Sequence, residues 1–320
     1  MKRLAVFHTD LDGFGCYLVA KYFKLEFDEF QFMNYPDYKK DYNYNHLNNF
    51  DEIVYADFSP NMEALEVLNK GTAKVQIFDH HESFVKDTWI PFKENNDLRE
   101  GIDLYYDVER SGTKILFEHL RETKHRVKPM IIQIVALIDT YDLYKKKHEL
   151  WEEAKNLNRV FYKSKTYYKD TEEEKVKFFL EGLMYRIYNY RDFMFTKTEL
   201  KKIEDDKLQE RDLTKTALKK ILIRVDSKGR KFGLFKIAKK LSLVCSNILD
   251  SRNDIEYVIA INTWNKDELK LSLRSREDGF NLLELNNTKG HQPACGLEEP
   301  DQKYINDLWN NVISEIGYKE

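Results

Sequence analysis

Aspartates and histidines recur where short hydrophobic runs end: His8, Asp10 and Asp12 in HTDLDG, Asp57 in ADFS, Asp79, His80 and His81 in FDHH, and Asp139 in IDTYD. Carboxylates mixed with imidazoles, and no thiolate among them, suit manganese, magnesium or cobalt in octahedral sites better than a structural zinc, with manganese the first choice. Alternation in HTDLDG lets His8, Asp10 and Asp12 present donors to neighbouring positions, and Gly13 permits a tight chain approach before the next element. Two divalent ions about 3.5 to 4 Å apart need a bridging carboxylate, for which Asp57 is expected, and phosphoryl chemistry is the commonest use of such a pair. Taken singly, an aspartate at a strand end is a turn or cap and adjacent histidines are packing residues. Four such pieces in this order carry the signal.

The elements that must hold these residues are legible as alternating strands and helices. Leu4 to Phe7 is a continuous apolar run followed by HTDLDGFG and LVAKYF, which predicts buried strand, loop and helix. Asp51 to Asp57 repeats the pattern, with a helix expected to open at Ser59 and Pro60 and to close on Gly71, and KVQIFDHH supplies a third strand. Such alternation predicts an α/β fold with a mainly parallel sheet, whose functional groups gather at the carboxyl ends of strands. SGTKILFEHL and PMIIQIVALIDTYDLY read as helices, the second carrying Asp139 at its end, and they close a first domain at residues 1–148.

Residues 149–220 are charged and helix-forming, with many Glu-to-Lys pairs, and read as a helical linker. The aromatic stretch FFLEGLMYRIYNYRDFMF inside it is expected to be core. Residues 221–320 read as a smaller α/β domain: KFGLFKIA, a helix through SLVCSNILD, strands in EYVIAINTW and ELKLSLRS, and a GHQPACG loop. The basic segment from Arg224 to Lys240 is expected to be a solvated face and Trp264 a core or interface residue rather than a base-stacking one.

In 320 residues, 52 basic and 55 acidic side chains leave a net charge of −3, which excludes a long nucleic-acid coat and a polybasic membrane anchor. Three scattered cysteines, Cys16, Cys245 and Cys295, exclude a disulfide framework and a cysteine zinc site and fit a reducing cytoplasm. The N-terminus lacks a secretory apolar region, and the longest apolar stretch, Ile131 to Ile138, falls far short of the ~18 to 20 residues that span a bilayer. A soluble cytoplasmic protein without a membrane partner is expected, and a homodimer is compatible with it.

HTDLDG, ADFS, FDHH and IDTYD resemble the four N-terminal motifs of the DHH phosphoesterase superfamily. The likeness extends to the C-terminus, where SLRS (Ser272 to Ser275) and KGHQPACG (Lys289 to Gly296) are similar to the strand and glycine-histidine loop of a DHH-associated domain. Lys289 stands where that loop's first glycine is usual. HTDLDG and the short chain look closest to the oligoribonuclease (nanoRNase B) and cyclic-nucleotide phosphodiesterase branch. The resemblance implies one ion on His8, Asp10 and Asp57 and another on Asp12, Asp57, His80 and Asp139, with Asp142 an extra ligand or a helix-end cap. It implies that His81 lies beside the phosphate as general acid, that Asp79 orients a histidine, and that Arg274, Ser275, Gly290 and His291 bind substrate. A manganese-dependent two-metal phosphodiesterase acting on short oligonucleotides is expected. A cyclic nucleotide, a cyclic dinucleotide or 3′-phosphoadenosine 5′-phosphate is the alternative substrate. A single-strand exonuclease, an inorganic pyrophosphatase and an inactive nucleotide-binding regulator are disfavoured by chain length, by SLRS with GHQPACG, and by the full ligand set.

Overall fold

The structure, a computed structural model, describes the chain except residues 35–41, 123–125, 168–171, 263–270, 277, 298–300, 314 and 320, and except the side chains of 165–167, 172–178, 289 and 291. Trp264 therefore lies outside the described residues. Two compact units are present, Met1–Ile203 and Glu204–Glu320.

In the first unit, β1 (Arg3–His8), β2 (Glu29–Met33), β3 (Glu52–Ala56), β4 (Lys74–Asp79) and β5 (Ile102–Tyr106) pair in parallel in the order β2-β1-β3-β4-β5. Successive residues of the central strands enter opposite cores: Ala5, Phe7, Val54, Ala56 and Phe78 face one, Leu4, Val6, Ile53, Tyr55 and Ile77 the other. Both faces are covered, which is why these strands read as unbroken apolar runs. Helices α1 (Leu11–Tyr22), α3 (Gly112–Arg121) and α4 (Pro129–Asp142) contribute to the first core, and α2 (Met62–Lys70) to the second. Ser59 and Pro60, expected to open α2, precede it. Asn61 caps the helix instead, its side-chain oxygen accepting the Ala64 N–H at 2.9 Å, so Ser59 remains available to another partner.

Helices α5 (Trp151–Tyr167) and α6 (Glu172–Asn189), in the stretch expected to link the domains, carry Ala154, Leu157, Val160, Phe161, Phe179, Leu180, Leu183 and Ile187 into the first core. The aromatic stretch is thus core along one stripe only: Tyr185, Tyr188, Tyr190 and Met194 are exposed. After α7 (Lys197–Lys220), the second unit holds a six-stranded sheet in the order β10-β11-β9-β8-β7-β6, formed by β6 (Leu222–Val225), β7 (Lys231–Ile237), β8 (Tyr257–Asn262), β9 (Leu271–Ser275), β10 (Thr288–His291) and β11 (Ala294–Leu297). Strands β7 and β8 are parallel and connected through α8 (Leu241–Ser251), while the other neighbours are antiparallel. Part of the basic Arg224–Lys240 segment is internal to this unit: Arg224 donates to the Leu308 and Trp309 carbonyls in α9 (Gln302–Trp309), and Lys240 pairs with Asp206. Among the described residues, no helix is long and apolar enough to cross a membrane.

Candidate metal centre

In the first unit's sheet, β1 lies between β2 and β3, so the chain crosses from β2 over β1 to β3 and the strand order reverses there, the place where functional groups gather at the strands' carboxyl ends. His8 ends β1, Asp57 immediately follows β3, and Asp79 ends β4 with His80 and His81 beyond it. The HTDLDG turn folds tightly: Asp10 caps α1 by accepting the Gly13 N–H at 3.1 Å and meets His8 Nδ1 at 2.8 Å. A Cβ on Gly13 would lie 2.2 Å from the His8 carbonyl oxygen, so only glycine permits this approach.

Asp57 is the centre of the arrangement. One of its carboxylate oxygens stands 3.7 Å from His8 Nδ1 and the other 3.2 Å from His80 Nε2. The same His80 nitrogen is 3.7 Å from Asp12 and 3.2 Å from Asp142. His8, Asp10 and Asp57 form one metal-capable set, Asp12, His80 and Asp142 a second, and Asp57, Asp79, His80 and His81 a third. Asp57 is 1% exposed and has φ +54°, a left-handed conformation that costs a non-glycine residue roughly 1–3 kcal/mol and is retained where function requires it.

The charges do not balance within the protein alone. Burial, followed by the charges of Asp12, Asp10 and Asp142, pushes the Asp57 carboxyl well above its ordinary pKa. Burial with Asp12, Asp10 and Asp139 does the same to Asp142. Among the described residues, the buried Oδ2 atoms of Asp57 and Asp142 find no hydrogen-bond donor. Burial and the neighbouring His81 charge lower the pKa of His80, which keeps its imidazole neutral and able to ligate. Crowded carboxylates and neutral imidazoles, without thiolates, are the donor set a hard divalent cation fits. The centre is built to bind divalent metal.

Residues behind these donors fix them. Burial raises the Asp79 pKa, but His81, His80 and Ser59 outweigh it and hold the group below the usual carboxylate range. Asp79 accepts the backbone N–H of His80 at 2.8 Å, contacts His81 Nδ1 at 2.7 Å, and receives the Ser59 hydroxyl. With Asp79 ionised, His81 Nδ1 carries the proton that it donates, and Nε2 is the ring's other edge. Asp12 accepts the backbone N–H groups of Gly112 at 2.7 Å and Thr113 at 2.9 Å, so the N-terminus of α3 orients this carboxylate. A Cβ on Gly112 would come within 2.7 Å of Asp57 Cβ. Ser59 was visible in the sequence only as a helix-start signal, and Ser111, Gly112 and Thr113 only as part of a helical stretch.

Asp139 and Asp142 occupy one face of α4, a turn apart, and the structure brings Asp142 to His80. Asp139 is directed away from that nitrogen: it accepts the Ser111 N–H at 2.9 Å and pairs with Lys114 at 3.1 Å and Lys145 at 2.8 Å. In the second unit, His291, Ala294 and Arg274 fall on one register row across β10, β11 and β9. Arg274 donates to the Ser242 hydroxyl and to the Leu273 carbonyl, each at 2.7 Å. Ser275 is buried, and its hydroxyl donates to the Arg276 carbonyl at 3.3 Å. Gly290 has φ +136°, and a Cβ there would lie 2.6 Å from the Ala294 carbonyl oxygen, so the hairpin requires glycine. The His291 side chain lies outside the described residues.

No family model matches the chain. A curated relative, oligoribonuclease NrnB of Bacillus subtilis (strain 168), is 24% identical over 315 residues, covering 93% of this chain and 73% of that protein. A pGpG-specific phosphodiesterase, PggH from Vibrio cholerae, superposes with a TM-score of 0.55 at 12% identity, covering 99% of both chains. RecJ of Thermus thermophilus, solved in complex with Mn2+, gives a TM-score of 0.56 at 14% identity over 100% of this chain and 53% of that one. The two structural likenesses are of fold. With three of the four motifs assembled at adjacent strand ends and the fourth on α4, the chain is similar in sequence to an oligoribonuclease and in fold to DHH-type phosphoesterases, which supports a phosphoester hydrolase.

Proposed function

We propose that this protein is a manganese-dependent phosphodiesterase that hydrolyses short linear oligonucleotides, dinucleotides included, to mononucleotides. The observation that carries the reading is Asp57, a strained and buried carboxylate placed between two ligand sets. His8, Asp10 and Asp57 would hold one ion, and Asp12, Asp57, His80 and Asp142 the other, Asp142 taking the place that the motif resemblance gives to Asp139. Two divalent ions there supply a water of lowered pKa and neutralise charge developing on the phosphate.

The remaining steps belong to the chain. Asp79 fixes the His81 ring, and although burial lowers the His81 pKa, Asp79 more than offsets it, so the imidazolium is favoured. His81 Nε2 donates that proton to the leaving oxygen as general acid. Arg274 on β9, with the Gly290 backbone and His291 on β10, recognises a phosphate or a terminal group. NrnB is named as an oligoribonuclease and PggH as a pGpG-specific phosphodiesterase, which supports a short substrate.

Linear and cyclic diadenylate, offered side by side with manganese and followed by mononucleotide release, test the reading, with Asp57→Ala as control. Cleavage of the linear form, lost in Asp57→Ala, is expected. Preferential cleavage of the cyclic form would replace it with a cyclic-dinucleotide phosphodiesterase, and cleavage of neither would direct attention to 3′-phosphoadenosine 5′-phosphate.

A further inference from the structure

Asp139 is satisfied more than once over. Its Oδ1 accepts the Ser111 N–H at 2.9 Å, and two ammonium groups, Lys114 Nζ at 3.1 Å and Lys145 Nζ at 2.8 Å, converge on its Oδ2. One lysine would neutralise this buried carboxylate. The second leaves a surplus of one positive charge, and the two lysine side chains are each about a third exposed, 31% and 32%.

The chain goes to some trouble to place Lys145 there. Just past the end of α4, Tyr144 has φ +52°, a conformation usually taken by glycine. The Tyr144 N–H bonds the Tyr141 carbonyl at 3.1 Å and the Lys145 N–H bonds the Thr140 carbonyl at 3.0 Å, a reversal that returns Lys145 over the last helical turn. Lys145 Nζ also donates to the Glu109 carbonyl at 3.3 Å. Lys114 Nζ donates to Asp139 alone among the described residues, so both ammonium groups retain N–H donors. Nearby Arg110 is already paired with Asp107 and Glu118.

The pair adjoins the metal centre. Asp139 precedes Asp142 by three residues on α4, and the consecutive amides of Ser111, Gly112 and Thr113 are divided between Asp139 and Asp12. Asp10, Asp12, Asp57 and Asp142 together match the charge of two divalent ions, so the lysine surplus is not spent on the metal centre. A second phosphate on the substrate would take it up.

We infer that Lys114 and Lys145 form a subsite for a terminal phosphate of a linear dinucleotide, beside the scissile phosphate. This rests on the two-metal reading above. A terminal phosphomonoester carries more charge than an internal diester and is absent from a cyclic dinucleotide, so the subsite selects linear, phosphorylated substrates.

The test compares 5′-phosphorylated diadenylate with the same dinucleotide lacking that phosphate, by calorimetric binding and by kcat/KM with manganese. The wild-type protein should prefer the phosphorylated form about 10-fold, as loss of a charge-assisted hydrogen bond implies. Lys145→Gln and Lys114→Gln should each move that ratio towards one, and Lys145→Arg should retain it. An equal response to the two dinucleotides in the wild type, or a lysine variant that weakens both alike, would overturn the subsite and leave the pair as a tie between α3 and α4. Preferential binding of the phosphorylated form without turnover of either would instead overturn the proposed function and leave the subsite standing.

Discussion

The metal centre and the Arg274 row differ in how they stand without a ligand. In the first unit, Asp57 and Asp142 are buried beside Asp10 and Asp12, their pKa values are driven up by burial and mutual repulsion, and Asp57 is held in a left-handed conformation. In the second, Arg274 donates to Ser242 and Leu273 within its own unit, and Ser275 bonds its neighbour's carbonyl. One region crowds buried carboxylates in an arrangement that folding alone disfavours, and the other sets its guanidinium against neutral groups of its own unit. Strain and unbalanced charge therefore point to function in the first region, whereas in the second only kinetics can separate a binding role from a structural one.

The sharpest way to break that contrast is to neutralise one carboxylate on α4 at a time. Asp142→Asn should reduce bound manganese from two ions to one and lower kcat/KM by on the order of 10²–10³-fold, the scale expected when one stabilising electrostatic group is lost. The same variant should melt higher than wild type when both are metal-free. The folded-state pKa of Asp142 lies above its ordinary value, so its ionised form destabilises the fold at neutral pH and removing the charge relieves that. Asp139→Asn, which loosens two lysines and one amide, should retain both ions and cost about 10-fold to 100-fold. Manganese content after dialysis, melting temperature and kcat/KM decide the assignment; greater ion loss in Asp139→Asn would return the ligand role to Asp139.

That residue choice marks where sequence reading stops. The strand ends were legible because strands buried on both faces are apolar runs, and polar side chains at their ends stand out. Edge strands β2 (EFQFM) and β5 (IDLYY) interleave polar residues and went unread, as edge strands are covered less evenly. Asp139 and Asp142 are one turn apart on α4, and which of them faces His80 is settled by Lys114 from another helix and by the reversal at Tyr144. Ser59 read as a helix start, and Ser111 stood at the head of the helical stretch SGTKILFEHL. Ser111 does cap α3, but Ser59 holds Asp79, and only tertiary contacts separate the two roles.

A smaller perturbation tests whether the metal centre depends on backbone approach. Alanine is a better helix former than glycine, so Gly112→Ala would be mildly stabilising on an open helix. Here the added Cβ would meet Asp57 Cβ at 2.7 Å and Asp57 Cα at 2.9 Å. The expected outcome is destabilisation of roughly 1–3 kcal/mol, in line with overpacking of a tight core, together with weaker manganese binding. Thermal melts with and without manganese check it, and a variant as stable and as metal-competent as wild type would show that Asp57 has room to move.

The mildest effect is expected where the fold is most at ease. Arg274→Ala removes donors from Ser242 and Leu273, but the hydroxyl can turn to another partner, so melting temperature should change little. Manganese content should be that of wild type, because Arg274 belongs to none of the metal-capable sets. If the guanidinium engages substrate, KM for linear diadenylate should rise about 10-fold with a smaller change in kcat, the signature of lost binding rather than lost chemistry. Ser242→Ala should move KM the same way by less, since it alters how the guanidinium is held and leaves its charge in place. Unchanged kinetics in both variants would make the Arg274 row part of the sheet's own architecture and place substrate recognition elsewhere, which would widen the contrast between the two units.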